Sequence, residues 1–119
     1  MNLKDYIRSI QDYPKKGILF RDITTLIKDE LAFEETINQI VERSKKFKVD
    51  KIAAIESRGF VFASAVSFVL KKPFIMLRKK NKLPADVHSV NFQLEYGTAT
   101  IEVHKDSISK KDSVLIIDD

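Results

Sequence analysis

Apolar and polar positions change their period several times along this chain, and each change predicts a new element. Leu3, Tyr6, Ile7 and Ile10 recur at helical spacing, which predicts a short amphipathic helix over residues 3–10. Residues 12–17 read as a turn, because Pro14 disfavours the α region at Tyr13. Ile18, Leu19 and Phe20 are too few for more than an edge strand or packed loop, and Asp22, Thr24 and Thr25 follow as cap-forming residues. Leu31, Phe33, Ile37, Ile40, Val41 and Phe47 mark one face of a helix over residues 30–46, roughly 25 Å long. Its acids gather at the start and its lysines at the end, as the macrodipole favours.

Lys51–Ile55 is a run of strand type, and residues 60–70 are apolar almost all round, which predicts a largely buried helix. Lys71-Lys72-Pro73 breaks it. Residues 74–77 form a second short apolar strand, followed by a basic loop over residues 78–84. Residues 87–103 alternate only partly, as in Ile101-Glu102-Val103, and predict a half-exposed antiparallel hairpin turning near Gly97. Val114–Ile117 is a β-branched run of the kind buried on both faces in parallel sheets. Strand, helix, strand and a further buried strand make an α/β domain with a mostly parallel sheet flanked by helices. Asp118 and Asp119 follow that last strand, and the chain stops there without the turn and helix that a strand ending in a site normally feeds. The expectation is therefore a single domain over residues 1–119, truncated after Asp119.

Composition narrows the function classes only a little. With 21 basic and 17 acidic residues the net charge is +4, which favours anionic partners, metabolite phosphates and nucleic acids alike. Without cysteine there is no disulfide framework and no thiolate metal site, which fits a reducing compartment, and a cytoplasmic location is expected. The N-terminus has no signal-peptide character, and no stretch approaches the ~18 apolar residues of a membrane span.

Three stretches put polar groups just after apolar strands: Glu56-Ser57-Arg58-Gly59, residues 78–82, and Asp118-Asp119. In a parallel sheet all three share the carboxyl edge, where open α/β sheets bind ligands. Arg58 falls at the first turn of a helix, where backbone N–H groups favour an anion, and Gly59 lets the backbone come close to it; alternatively Arg58 is a solvated surface turn. Arg78, Lys79 and Lys82 are either a cationic wall or one more of the solvated lysine runs this chain carries. Asp118 and Asp119 are either a wet strand exit or a pair that grips a diol or a metal. Neither His88 nor His104 has a metal-ligand companion at i+4.

Five stretches in order carry a resemblance: Pro14-Lys15-Lys16-Gly17-Ile18-Leu19-Phe20-Arg21-Asp22-Ile23, Glu56-Ser57-Arg58-Gly59-Phe60, residues 78–84, Leu94-Glu95-Tyr96-Gly97 and residues 114–119. With them the chain resembles the adenine phosphoribosyltransferase family, type I phosphoribosyltransferases, over essentially all of its length. The resemblance implies transfer of ribose 5-phosphate from phosphoribosyl pyrophosphate (PRPP) to adenine, giving AMP and pyrophosphate. It also implies Mg²⁺ bound mainly through PRPP rather than by protein ligands, a homodimer, and neither nucleic-acid nor membrane partners.

By position, the resemblance makes Asp118 and Asp119 the acidic half of the PRPP motif on the ribose hydroxyls. Arg58 would hold pyrophosphate, in a loop with a non-proline cis peptide before the serine. Arg78, Lys79 and Lys82 would add charge there, partly across the dimer. Glu95 and Tyr96 would belong to a mobile hairpin region, residues 86–104, with Glu95 the matched carboxylate that assists base or cation. Leu19, Phe20 and Arg21 would form the adenine clamp in an N-terminal segment, residues 1–27. Asn81 stands where the family usually has Gly and Ala63 where Gly is common; Asn tolerates the left-handed region, and Ala suits a helix interior. Two rivals remain at this level: a phosphoribosyltransferase for another purine, and a non-catalytic nucleotide- or nucleic-acid-binding regulator using the same basic edge.

Overall fold

The structure, a computed structural model, describes residues 1–94 and 97–119. The chain forms two compact units, Met1–Glu42 and Arg43–Asp119.

In the first unit the helical spacing over residues 3–10 does not produce an α-helix. Leu3–Tyr6 makes a single 3₁₀ turn, and Arg8–Gln11 is strand β1. So short a segment is marginal as an isolated helix, whereas as a strand it gains a partner. It pairs antiparallel with β2, Leu19–Asp22, setting Arg8 opposite Asp22 and Ser9 opposite Arg21. Both opposed pairs bond: Arg8 donates from Nε to the Asp22 carboxylate at 3.1 Å, and Arg21 donates to the Ser9 hydroxyl. Asp22 also accepts from the Thr24 N–H at 2.9 Å and hydroxyl at 2.7 Å, where the short helix α1, Thr24–Ile27, begins. The bond from the Thr24 hydroxyl, then that from Arg8, holds the Asp22 carboxyl down at about 2. Helix α2, Glu30–Ser44, starts behind Asp29, whose carboxylate accepts from the Ala32 N–H at 2.9 Å as an N-cap does.

The second unit carries a five-stranded sheet in the order β5-β6-β4-β3-β7. Strand β3 (Lys51–Ile55) lies between β4 (Phe74–Lys79) and β7 (Val114–Ile117), both parallel to it. Strands β5 (Val87–Leu94) and β6 (Gly97–His104) form the expected hairpin, and β6 joins β4 antiparallel, so the sheet is mixed rather than uniformly parallel. Helix α3, Arg58–Leu70, packs on β3, β4 and β7. Ile52, Ala53 and Ala54 on β3, with Phe62, Ala63 and Val66 on α3, Ile75 on β4 and Ile117 on β7, are buried core.

Several expectations change here. Helix α3 is apolar all round yet buries one face only: Phe68 is 85 % and Val69 52 % exposed. Strand β7 likewise leaves Ile116 60 % exposed, and among the described residues it is an edge of this sheet. Arg78 and Lys79 belong to strand β4, so the basic loop is shorter than its composition suggested. The alternation in β6 is inverted: Glu102 is buried, at 7 % exposure, between the half-buried Ile101 and Val103. Asn81 does take the left-handed conformation, with φ +67°. Among the described residues no helix is long and apolar enough to cross a membrane.

Among the described residues four carboxyls have lowered pKa values, which sets how these groups make stability depend on acid. Asp22 is held by Thr24 and Arg8, Glu56 by the Lys79 N–H, Glu102 by the Ser89 hydroxyl, and Asp112 by Lys51. A depressed carboxyl contributes stability that is complete above its ordinary value, here 3.8 or 4.5, and is lost as pH falls toward the folded value. Thermal melts are therefore expected to be insensitive to these groups between about pH 7 and 5, and to fall steadily from about pH 4.5 to 2. A melting temperature unchanged between pH 5 and about 2.5 would contradict these pairings.

Candidate active site

The site is built where β7, β3 and β4 end side by side. Because the three strands are parallel, their exits share one edge of the sheet. From β3 comes Glu56-Ser57, joined by a cis peptide, and then Arg58 as the first residue of α3. From β7 come Asp118 and Asp119, and from β4 the turn that follows Lys79.

These segments touch. Arg58 Nε lies 2.8 Å from a carboxylate oxygen of Asp119, whose side chain is only 16 % exposed. Asp118 Oδ1 accepts from the Asp119 N–H at 2.9 Å. A Cβ added at Gly59 would sit 3.1 Å from both Asp118 Oδ1 and the Ile117 carbonyl oxygen. The absence of a side chain at Gly59 thus serves the approach of α3 to the end of β7; the sequence had suggested instead an approach to a bound anion. Arg58 and the two aspartates, predicted from separate stretches, form one cluster.

Glu56 stands on the other side. Its Oε1 accepts the Lys79 N–H at 2.6 Å and lies 3.4 Å from Arg78 Nε. The Lys79 N–H foremost, then the charge of Arg78, keep the Glu56 carboxyl below its ordinary range despite partial burial. The Lys82 N–H returns to the Lys79 carbonyl at 3.3 Å, with Asn81 left-handed between them, so residues 79–82 form a β-turn. Lys79, Lys80 and Lys82 line an open cleft of about 650 Å³, together with Glu56 and with Phe92, Leu94 and Thr98 from the hairpin. The sequence reading passed over Lys80, Glu56 as a bonding group, and Glu102. A carboxylate directly after a buried strand was the available signal for Glu56; for Glu102 there was none.

The other candidates divide in two. Leu19, Phe20 and Arg21 lie on β2 of the first unit, with Leu19 46 % exposed, the Phe20 ring edge-on to Tyr13 at 5.1 Å, and Arg21 bonded to Ser9. Glu95 and Tyr96 lie outside the described residues.

Chemically, the second unit offers a carboxylate pair beside an arginine at a helix start, and a lysine-lined cleft next to it. A ligand with both hydroxyls and phosphates suits that combination. Among the described residues no three His, Asp or Glu side chains gather as a metal cage. Two adjacent carboxylates nonetheless match the donors Mg²⁺ takes when substrate phosphates and water complete its shell.

Comparison with known proteins agrees with this chemistry. The family model described as phosphoribosyl transferase domain matches residues 23–119. An adenine phosphoribosyltransferase of Pelagibacter ubique (strain HTCC1062) is 86% identical over 119 residues, covering 100% of this chain and 68% of the relative. That of Brachyspira hyodysenteriae is 53% identical, covering 100% and 70%. The crystal structure of adenine phosphoribosyltransferase from Thermoanaerobacter pseudethanolicus superposes with a TM-score of 0.94 at 44% identity, over 98% of this chain and 68% of that one. The Saccharomyces cerevisiae enzyme, complexed with an imino-altritol bisphosphate and adenine, gives 0.90 at 30% identity, over 98% and 69%.

Proposed function

This chain belongs to the adenine phosphoribosyltransferase family, and on that premise we propose which of its residues serve the transfer of ribose 5-phosphate from PRPP to adenine. The observation that carries the reading is the 2.8 Å contact between Arg58 and Asp119, which joins an anion-binding arginine to an acidic strand exit at one sheet edge.

As the bond to pyrophosphate lengthens, C1 of the ribose gains positive charge and the departing group gains negative charge. Only contacts that strengthen along that path raise the rate. Asp118 and Asp119 accept hydrogen bonds from the ribose hydroxyls and favour the cationic ring. Arg58, whose guanidinium has five donors in a fork, and the N–H groups opening α3 take pyrophosphate oxygens. Arg78, Lys79 and Lys82 add charge around the leaving group. Asp118 and Asp119 would stand beside a Mg²⁺ held mainly through PRPP, which would supply Lewis-acid neutralisation of the pyrophosphate. Leu19, Phe20 and Arg21 are assigned to the base, by backbone contacts to its edge and by the Phe20 ring, and Glu95 and Tyr96 to the cover over PRPP. The same reading makes the protein a cytoplasmic homodimer of purine salvage, with residues 1–27 as the base-binding segment and the hairpin region over residues 86–104 as a moving part.

Base competition tests it. With PRPP and Mg²⁺ present, adenine is expected to give AMP and pyrophosphate in equal amounts, and guanine or xanthine in ~10-fold excess is expected to leave the rate almost unchanged, since a site built for one set of polar edges rejects another strongly. Guanine or xanthine competing as well as adenine would move the assignment to a different purine.

A further inference from the structure

We infer that Glu102 is a positioning residue for anion binding: by fastening the Asn81 amide it holds the three-lysine turn in the shape that lines the cleft. The inference rests on the proposal that this turn belongs to the pyrophosphate site.

Glu102 sits on β6 opposite Arg78 of β4 and opposite Ser89 of β5. Residues opposed across an antiparallel ladder share a face, so its carboxylate lies on the side that meets both neighbouring strands. It is 7 % exposed, and both of its oxygens are engaged. Oε1 accepts the Asn81 N–H at 2.8 Å and Oε2 accepts the Ser89 hydroxyl at 2.7 Å. Those two bonds keep its carboxyl below the ordinary range in spite of burial.

An apolar residue would fill such a position at lower cost than a carboxylate, which must be desolvated. What the acid adds is a fixed point for the turn. Three lysines within four residues repel one another and favour an open, solvated loop. Two anchors on acidic side chains oppose this: Glu56 at the Lys79 N–H and Glu102 at the Asn81 N–H. Between them the turn closes through the longer Lys82-to-Lys79 bond at 3.3 Å. Glu102 therefore acts on the anion through the geometry of Lys79, Lys80 and Lys82, which line the cleft.

The alternative is that Glu102 merely neutralises nearby lysines, in which case its removal would tighten anion binding. A double-mutant cycle on inorganic pyrophosphate binding, measured by calorimetry, separates these readings. Glu102→Ala is expected to weaken pyrophosphate by ~10-fold, while Glu102→Gln, which keeps an acceptor for Asn81, loses no more than ~3-fold. In protein already carrying Lys79→Ala, Lys80→Ala and Lys82→Ala together, adding Glu102→Ala is expected to change affinity by less than ~2-fold, because the group it positions is gone. A melt of each variant accompanies the titration. If Glu102→Ala does not fold, Ser89→Ala, which frees one carboxylate oxygen, is expected to show a ~3-fold loss with the lysines present and none without them. Equal losses in both lysine backgrounds, tighter binding on removal of the acid, or no rescue by Gln would each overturn the inference. If the triple lysine variant binds pyrophosphate as the wild type does, the assignment of the turn to pyrophosphate fails, and this inference with it.

Discussion

Asp118→Asn and Asp119→Asn are each expected to lower kcat/KM for PRPP by ~10²-fold or more while leaving the fold intact, which corresponds to about 2.7 kcal/mol of lost transition-state stabilisation. An amide is nearly the same size as the carboxylate it replaces, but it accepts hydrogen bonds less strongly and carries no charge to set against a cationic ribose. The structure separates the two residues further. Asp119 also grips Arg58, so its loss loosens the arginine as well; Asp118 lies against Gly59, and its Oδ1 accepts from the Asp119 N–H. Asp119→Asn is therefore expected to weaken pyrophosphate binding too, and Asp118→Asn to leave it nearly unchanged. Steady-state kinetics at saturating adenine, pyrophosphate calorimetry and a thermal melt measure these effects. If the pair only solvates a strand exit, both substitutions fall within about 0.5 kcal/mol of neutral, as surface changes usually do.

The second large effect belongs to Arg58. Arg58→Ala is expected to weaken both PRPP and pyrophosphate by about 2 kcal/mol, the scale of a hydrogen bond to a charged group, and to leave adenine binding nearly unchanged. Arg58→Lys keeps the charge but loses the planar fork, and an intermediate loss is expected. Calorimetry with the three ligands decides: equal weakening of all three would indicate damage to the fold, and no weakening of pyrophosphate would remove Arg58 from the anion site.

Much of the site was legible because it lies where apolar runs end. The runs 51–55, 74–77 and 114–117 are short, largely apolar and followed by polar residues, so β3, β4 and β7 and their common edge followed from pattern. What pattern missed depended on partners distant in sequence. Residues 3–10 carry helical spacing, yet a strand opposite Asp22 and Arg21 is the better outcome, and nothing within that segment announces its partner. Phe68 and Val69 are as apolar as Phe62 and Val66, and only the placement of α3 on the sheet decides which pair is buried. Glu102 looked like the wet position of an alternating strand. Its burial follows from the Asn81 turn and Ser89, which reach it from either side.

The place of β7 in the sheet has a kinetic consequence. Strand β3, helix α3 and strand β4 are consecutive, so Arg58 and the Glu56 anchor of the lysine turn can form from contacts near in sequence, while the Glu102 anchor waits for β6. Strand β7, however, pairs with β3, Lys51 against Val114, although α3, β4 and the whole hairpin intervene. Pairings this distant are closed late and slowly, because the entropy of the loop must be lost before the contact returns anything. From this separation, Arg58 is expected to be placed before Asp118 and Asp119 during folding. On the proposed assignment, a sugar phosphate bridging Arg58 and the two aspartates would bind only the finished edge, and so would draw the folding equilibrium toward it.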